Sequence, residues 1–108
     1  MDYPISILFY VKRVKVNAQG LAPIFQRITI NGRRLDNSTG KFIDPDKWHS
    51  EMSKMRGTSE EARSINGHLD NLKSKILYVE KNLIKKDIPV NFESFKNEFQ
   101  GKRERERM

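Results

Sequence analysis

The chain has 108 residues, no cysteine and a formal net charge of +7, with 32% charged and 36% hydrophobic residues. This length predicts a single domain with its own core, and the absence of cysteine excludes a disulfide framework and a thiolate zinc site. The longest apolar run is far shorter than the ~20 residues of a membrane span, so we expect a protein of the reducing cytoplasm with no membrane partner.

Three segments in the first half of the chain have the pattern of β-strands. Apolar residues alternate with other residues over 5–11 and again over 24–30, and a turn over 17–20 joins the two segments. Asn31-Gly32 then favours a tight hairpin, because both residues tolerate positive φ. A third strand follows over 33–43, with a bulge or bend at 37–40. We therefore predict a three-stranded antiparallel sheet with meander connections.

The segment after the sheet contains the only tryptophan, Trp48. A proline turn over 44–48 delivers this residue, and its large apolar surface predicts packing against the sheet. Residues 49–57 are polar and end in a glycine, which is typical of a mobile loop.

A capping-box pattern at Thr58 and Glu61 predicts the start of one long helix, over about residues 59–86. Its apolar stripe consists of Ala62, Ile65, Leu69, Leu72, Ile76, Val79 and Leu83. We expect this stripe, and Leu72 with it, to cover one face of the sheet. A dimeric coiled coil is the alternative, because the same spacing satisfies a heptad.

The C-terminal part is predicted to hold a second, short helix. Ile88-Pro89-Val90 ends the long helix, Asn91 caps a helix over residues 92–99, and Gly101 ends it. Residues 102–108 alternate in charge without an apolar face, which predicts a disordered linker. The expected fold is α+β, with the sheet packed on the long helix; residues 1–90 form the domain and residues 91–108 a short helix and linker.

Positive charge is concentrated on the predicted sheet. Residues 3–41 carry seven basic side chains and one acidic one, whereas residues 58–100 carry seven of each. A sheet covered by one helix leaves its other face exposed, and such a basic face is typical of a protein that binds a polyanion. The candidate nucleic-acid-binding residues are Tyr10, Lys12, Arg13, Phe25, Arg27, Thr29, Arg33, Arg34, Ser38 and Lys41. Such side chains contact phosphates, guanine edges, sugars and thymine methyl groups.

Patterns typical of catalysis or metal binding do not occur in the sequence. His49 and His68 lack the i, i+4 spacing of a helical metal site, and no nucleotide-binding or hydrolase motif is found. We therefore expect no catalytic residue, no metal, no cofactor and no small-molecule ligand. Two other functions stay open: a protein-interaction or dimerisation module that uses the helical stripe, and an RNA-binding module in which Tyr10 and Phe25 stack on unpaired bases.

Four segments, taken in order, resemble a known family. They are residues 5–12 (ISILFYVK), 20–32 (GLAPIFQRITING), 38–40 (STG) and 44–48 (DPDKW). Their order and spacing are similar to those of the amino-terminal arm-DNA-binding domain of Bacteroides-type phage and transposon integrases, which are tyrosine recombinases. Gln26 and Asn37 depart from that pattern, because they are polar where it is usually apolar.

The resemblance implies a three-stranded sheet that lies in the DNA major groove and recognises arm-type sites in double-stranded DNA. It also implies that the catalytic residues of the recombinase lie in a carboxy-terminal domain outside this chain, so this fragment is not an enzyme. The charged tail would lead toward a core-binding domain. We expect the isolated domain to be a monomer that meets other integrase subunits in the full complex, in the bacterial cytoplasm and associated with the nucleoid.

Overall fold

The main sheet has three antiparallel strands in the order β1-β2-β3. The computed structural model describes residues 5–106, and the side chains of residues 5–100. The sheet strands are β1 (Ile5–Val11), β2 (Ala22–Ile30) and β3 (Arg33–Ile43). The other elements are the short strands β4 (Trp48–His49) and β5 (Lys54–Met55) and the helices α1 (Glu60–Lys85) and α2 (Phe92–Glu106). The predicted α+β class is confirmed.

The hairpin between β2 and β3 is the tight two-residue turn that the sequence predicts. Asn31 has a φ of 49° and Gly32 a φ of 84°, as a turn with two left-handed residues requires. Ile30 pairs with Arg33 across it, and this pairing fixes the register of the following residues. Between β1 and β2, the Asn17 side chain accepts hydrogen bonds from the backbone amides of Gln19 and Leu21.

Alternation along each strand gives the sheet an inner and an outer face. The buried residues of the inner face are Phe9, Ala22, Ile24, Gln26, Ile28, Ile30, Thr39 and Ile43. The predicted bulge lies in β3, because β3 advances from Ser38 to Phe42 while β2 advances only from Phe25 to Pro23. Gly40 has a φ of 82° at this point, and the Thr39 hydroxyl donates to the Ile24 carbonyl at 2.7 Å.

The helix α1 covers the inner face. Six residues of its apolar stripe are buried, namely Ala62, Ile65, Leu69, Ile76, Val79 and Leu83. Leu72, which we expected to lie among them, is only partly buried and packs at the edge of the core. Since the stripe lies against the sheet of its own chain, it is not exposed for a coiled coil.

The start of α1 lies one residue beyond the predicted capping box. The N-cap is Ser59, whose Oγ accepts a hydrogen bond from the Ala62 backbone amide at 3.1 Å. The capping box predicted at Thr58 is therefore wrong. With Ser59 as the cap, Glu61 is the second helical residue and not the third, so it does not occupy the capping-box position.

The predicted mobile loop at residues 49–57 is also wrong, because β4 and β5 pair there as a short hairpin. Trp48 pairs with Met55, and both side chains are buried in the core beneath the sheet. The Asn66 side chain in α1 accepts from the Met55 backbone amide at 2.9 Å and donates to the Met55 carbonyl at 3.2 Å. Two-residue strands are too short to produce a hydrophobic period that a sequence pattern can reveal.

The second helix is longer than predicted. Asn91 caps it as expected, since its Oδ1 accepts from the Ser94 backbone amide at 2.9 Å. The helix then passes through Gly101 and ends at Glu106, so the predicted end at Gly101 and the disordered linker are wrong as far as residue 106. Lys, Arg and Glu are good helix formers, and one glycine costs only about 1 kcal/mol. Residues 107 and 108 of the predicted linker lie outside the described residues.

Replacing Gly67 by Ala should stabilise the protein by about 0.5 to 1 kcal/mol, because Gly67 is an exposed residue inside α1 and an added Cβ meets no atom within 4 Å. Urea unfolding measures the change. Gly40→Ala is the control: its site is equally open but has a φ of 82°, so it should destabilise. Equal effects of the two substitutions would contradict the helical backbone at Gly67.

Candidate nucleic-acid interface

The outer face of the sheet is the surface opposite α1. Its β1 residues are Ser6, Leu8 and Tyr10, and Lys12 follows directly after β1. Its β2 residues are Pro23, Phe25, Arg27 and Thr29, and its β3 residues are Arg34, Asp36, Ser38 and Phe42. The buried clusters of both helices lie on the inner side. The outer face therefore presents side chains of all three strands, which belong to a basic part of the chain.

Strand register brings particular side chains of this face together. The cross-strand rows are Ser6, Thr29 and Arg34; then Leu8, Arg27 and Asp36; then Tyr10, Phe25 and Ser38. Directly opposed residues on neighbouring strands have Cβ atoms roughly 5 Å apart, so each row acts as one local surface. Cations, hydroxyl groups and aromatic rings thus alternate over a short distance.

Two ammonium groups gather over one aromatic ring at the end of this face. The Lys12 Nζ lies 3.9 Å from the centroid of the Phe25 ring, and the Lys15 Nζ lies 5.8 Å from it. Tyr10 packs beside the same ring, with centroids 6.1 Å apart. Lys15 belongs to a 3-10 turn, Arg13–Lys15, and was not among the predicted residues, although Arg13 of the same turn was. Alternation along a strand does not give the direction of a side chain in such a turn.

Arg27 occupies the centre of the outer face and is held from two sides. Its Nε donates to Asp36 Oδ1 at 2.9 Å, and its Nη2 donates to Asp36 Oδ2 at 3.3 Å. Its guanidinium carbon lies 4.8 Å from the Tyr10 ring centroid. The hydrogen bond from Arg27 holds the pKa of Asp36 below its ordinary value, and the same bond raises the pKa of Arg27. Both groups are therefore charged at neutral pH.

Exposed apolar side chains lie among these charges. Leu8 is 42% exposed and Phe42 is 49% exposed on the outer face, and Val14 in the neighbouring turn is 94% exposed. Strand alternation alone would have found Leu8, which shares a face with Tyr10. Apolar groups at such positions can contact thymine methyl groups and deoxyribose.

One comparison with known proteins identifies the chain. The model of a family described as the arm DNA-binding domain matches residues 9–96. The chain belongs to this family. No curated protein and no solved structure matches the chain. The protein is thus a DNA-binding domain of the integrase type, a non-catalytic module whose partner is double-stranded DNA.

Seven of the ten predicted binding residues meet on the outer face of this arm DNA-binding domain. They are Tyr10, Lys12, Phe25, Arg27, Thr29, Arg34 and Ser38. Arg34 and Ser38 are exposed, whereas the others are partly buried by their neighbours. This surface corresponds to the face that the sheet was expected to leave uncovered.

The other three predicted residues lie elsewhere. Arg13 donates from Nη2 to the Pro45 carbonyl at 3.2 Å, and Lys41 is partly buried beyond the bulge. Arg33 stacks on Phe92 of α2, with its guanidinium carbon 4.2 Å from the ring centroid, and lies 3.7 Å from a carboxylate oxygen of Glu93. Arg33 shares the strand parity of the inner face, so the structure directs it toward α2.

The arm DNA-binding domain has a groove on its other side, between β3 and the two helices. It encloses about 590 Å³, and its polar lining includes Gln26, Asn37 and His68. Among the described residues no hydrogen-bond donor reaches Gln26 Oε1, while His68 Nε2 lies 3.0 Å from the Thr39 carbonyl. The two polar residues that depart from the family pattern, Gln26 and Asn37, thus pair across the strands on the covered face.

Two negative findings apply to the described part of the chain, residues 5–106. None of its helices combines the length and the apolar character that a membrane crossing requires. Within the same residues, no cluster of three or more His, Asp and Glu side chains is arranged to hold a metal ion.

Replacing Arg27 by Ala should raise the pKa of Asp36 toward that of an ordinary aspartate, because the hydrogen bond from Arg27 is the largest cause of its lowered value. A folded-state pKa below the unfolded one means that the pair stabilises the protein above the unfolded pKa and that this contribution is lost as pH falls through the folded pKa. Carboxyl-carbon NMR titration measures the shift. An unchanged Asp36 pKa in the variant would contradict the pairing.

Proposed function

We propose that the domain binds arm-type sites in double-stranded DNA as the amino-terminal part of a tyrosine recombinase, with the outer face of its sheet set in the major groove. The observation that carries this proposal is the excess of positively charged side chains on that face. Three cations, Lys12, Arg27 and Arg34, stand on it with a single carboxylate, Asp36. A surface of this kind suits contact with phosphates and base edges together.

The dimensions of the sheet support insertion into the major groove. Adjacent strands lie about 4.8 Å apart, so three strands span roughly 10 Å between the outer backbones. The major groove of B-DNA is about 12 Å wide and admits a β-ribbon, whereas the minor groove is about 6 Å wide. The sheet therefore fits the groove in which each base pair presents a distinct pattern.

The side chains on and beside the outer face divide by chemistry into three roles. Lys12 and Lys15 lie at one end of the face and carry point charges suited to phosphates. Arg27 and Arg34 carry planar guanidinium groups that can bind the O6 and N7 atoms of guanine. Leu8 and Phe42 supply exposed apolar surface for thymine methyl groups.

Within the complete recombinase, the domain would help to position DNA during integration and excision of a phage or transposon in the bacterial cytoplasm, at the nucleoid. We also propose that residues 91–108, whose helix α2 packs on the domain over residues 1–90 through Phe95, lead toward a core-binding domain. A monomeric state of the isolated domain, with contacts to other integrase subunits in the full complex, is also part of this proposal.

Selection of bound duplexes from a random pool tests the proposal. We expect one enriched motif, and we expect single-stranded DNA or RNA of the same sequence to compete poorly with the duplex. Enrichment without a common motif would contradict specific recognition of an arm-type site. Better competition by single-stranded RNA would favour an RNA-binding module in which Tyr10 and Phe25 stack on bases.

A further inference from the structure

We propose that Asp36 determines the base preference of the outer face by holding the Nε–Nη2 edge of the Arg27 guanidinium, so that the adjacent Nη1–Nη2 edge is presented to a guanine. This inference rests on the proposed binding of the outer face in the major groove. It assigns to an acidic residue on a basic surface a role that charge alone does not explain.

The hydrogen bonds between the two residues leave a defined part of the guanidinium available. A guanidinium has five N–H donors, and Asp36 accepts one from Nε and one from Nη2. Three donors remain, two on Nη1 and one on Nη2, and one from each atom points outward along the edge that these two atoms form. Two parallel donors on one edge match the O6 and N7 acceptors of guanine in the major groove.

A second contact restrains the same group. The Tyr10 ring lies against the guanidinium, with its centroid 4.8 Å from the Arg27 guanidinium carbon. Asp36 is the direct cross-strand partner of Arg27, so a register set by the Asn31-Gly32 hairpin holds the pair. An arginine restrained by these two contacts loses less conformational freedom on binding, and it discriminates better between correct and incorrect base edges.

The Asp36 carboxylate lowers the affinity for DNA, which is consistent with a role in specificity. Its side chain is 35% exposed on the surface that faces DNA, where it repels phosphates of every sequence. An exposed ion pair contributes only about 0 to 1 kcal/mol to stability, which gives little reason to place an anion there. Repulsion that lowers the affinity for all sequences, combined with an orienting contact that favours one, increases discrimination.

The test compares selections from one random duplex pool by the wild type, Asp36→Asn, Arg27→Ala and the control Asp70→Asn. Asp70 is an exposed acid on α1, so the control removes the same charge away from the outer face. We expect Asp36→Asn to bind the unselected pool more tightly and to lose about tenfold in preference for guanine at one position of the motif. Arg27→Ala should lose the preference at that same position, and Asp70→Asn should keep it.

Three results would overturn the inference, and one of them would also overturn the proposed function. If the wild type enriches no motif, there is no base preference for Asp36 to determine, and the proposed function fails as well. If the wild type enriches a motif that Asp36→Asn recognises with equal preference at every position, only the inference fails. The inference also fails alone if Asp36→Asn and Arg27→Ala change different positions. Thermal unfolding of each variant confirms that it is folded.

Discussion

Replacing Phe95 by Ala is expected to lower the free energy of unfolding by about 3 to 5 kcal/mol, because the large ring leaves a cavity in the core. Phe95 has no exposed surface, and it joins α2 to a cluster that includes Ile28 and Ile76. Its ring also stacks near Phe99, with centroids 5.6 Å apart. A small domain has roughly 5 to 15 kcal/mol of stability in total, so this single change should leave it barely folded.

Urea unfolding followed by circular dichroism measures the effect of Phe95→Ala. The control is Phe42→Ala, because Phe42 is 49% exposed on the outer face and its removal creates no enclosed cavity. We expect the control to lose less than half as much stability. A loss below about 1 kcal/mol for Phe95→Ala would show that α2 contributes little to the core, and it would favour a domain that ends at residue 90.

The second large effect is expected for DNA binding by the double variant Lys12→Ala/Arg34→Ala. Both residues stand on the outer face, and the loss of an arginine that contacts a base edge costs about 1 to 3 kcal/mol. Because Lys12 is proposed to contact a phosphate and Arg34 a base edge, the slope of log affinity against log salt should become flatter by about one unit. Fluorescence anisotropy with a labelled duplex at several salt concentrations measures both quantities.

A charge-matched variant separates position from net charge. Lys73→Ala/Lys81→Ala also removes two positive charges, but these residues are exposed on α1, away from the outer face. We expect it to retain nearly the affinity and salt slope of the wild type. Equal losses in the two double variants would indicate general attraction of DNA to a basic protein.

The sheet could be predicted from sequence because its signals are local. Alternation over β1 and β2 places each side chain on a face, and Asn31-Gly32 fixes the hairpin. The turn also fixes the register, so the partnership of Arg27 with Asp36 follows from counting back from Ile30 and Arg33. Alternation along the third strand also places Asp36 on the exposed face, but we did not predict its ion pair with Arg27.

Two features that the sequence pattern does not reveal depend on tertiary contacts. The hairpin of β4 and β5 is held by the Asn66 side chain and by burial of Trp48, and neither contact leaves a periodic pattern. The strand parity of Arg33 and the position of α2 direct this side chain to Phe92, and its contact with DNA stays a prediction. In each case a distant segment of the chain decides the local structure.

Protection of single cysteines from alkylation tests most directly whether the outer face contacts DNA. The chain has no cysteine, so one introduced thiol reports on one position. Ser6 and Ser38 are exposed on the outer face, and Ser64 is exposed on α1. With a neutral reagent and saturating duplex, we expect slower alkylation of Ser6→Cys and Ser38→Cys and an unchanged rate for Ser64→Cys. Protection of Ser64→Cys, with Ser6→Cys and Ser38→Cys still reactive, would contradict binding through the outer face of the sheet.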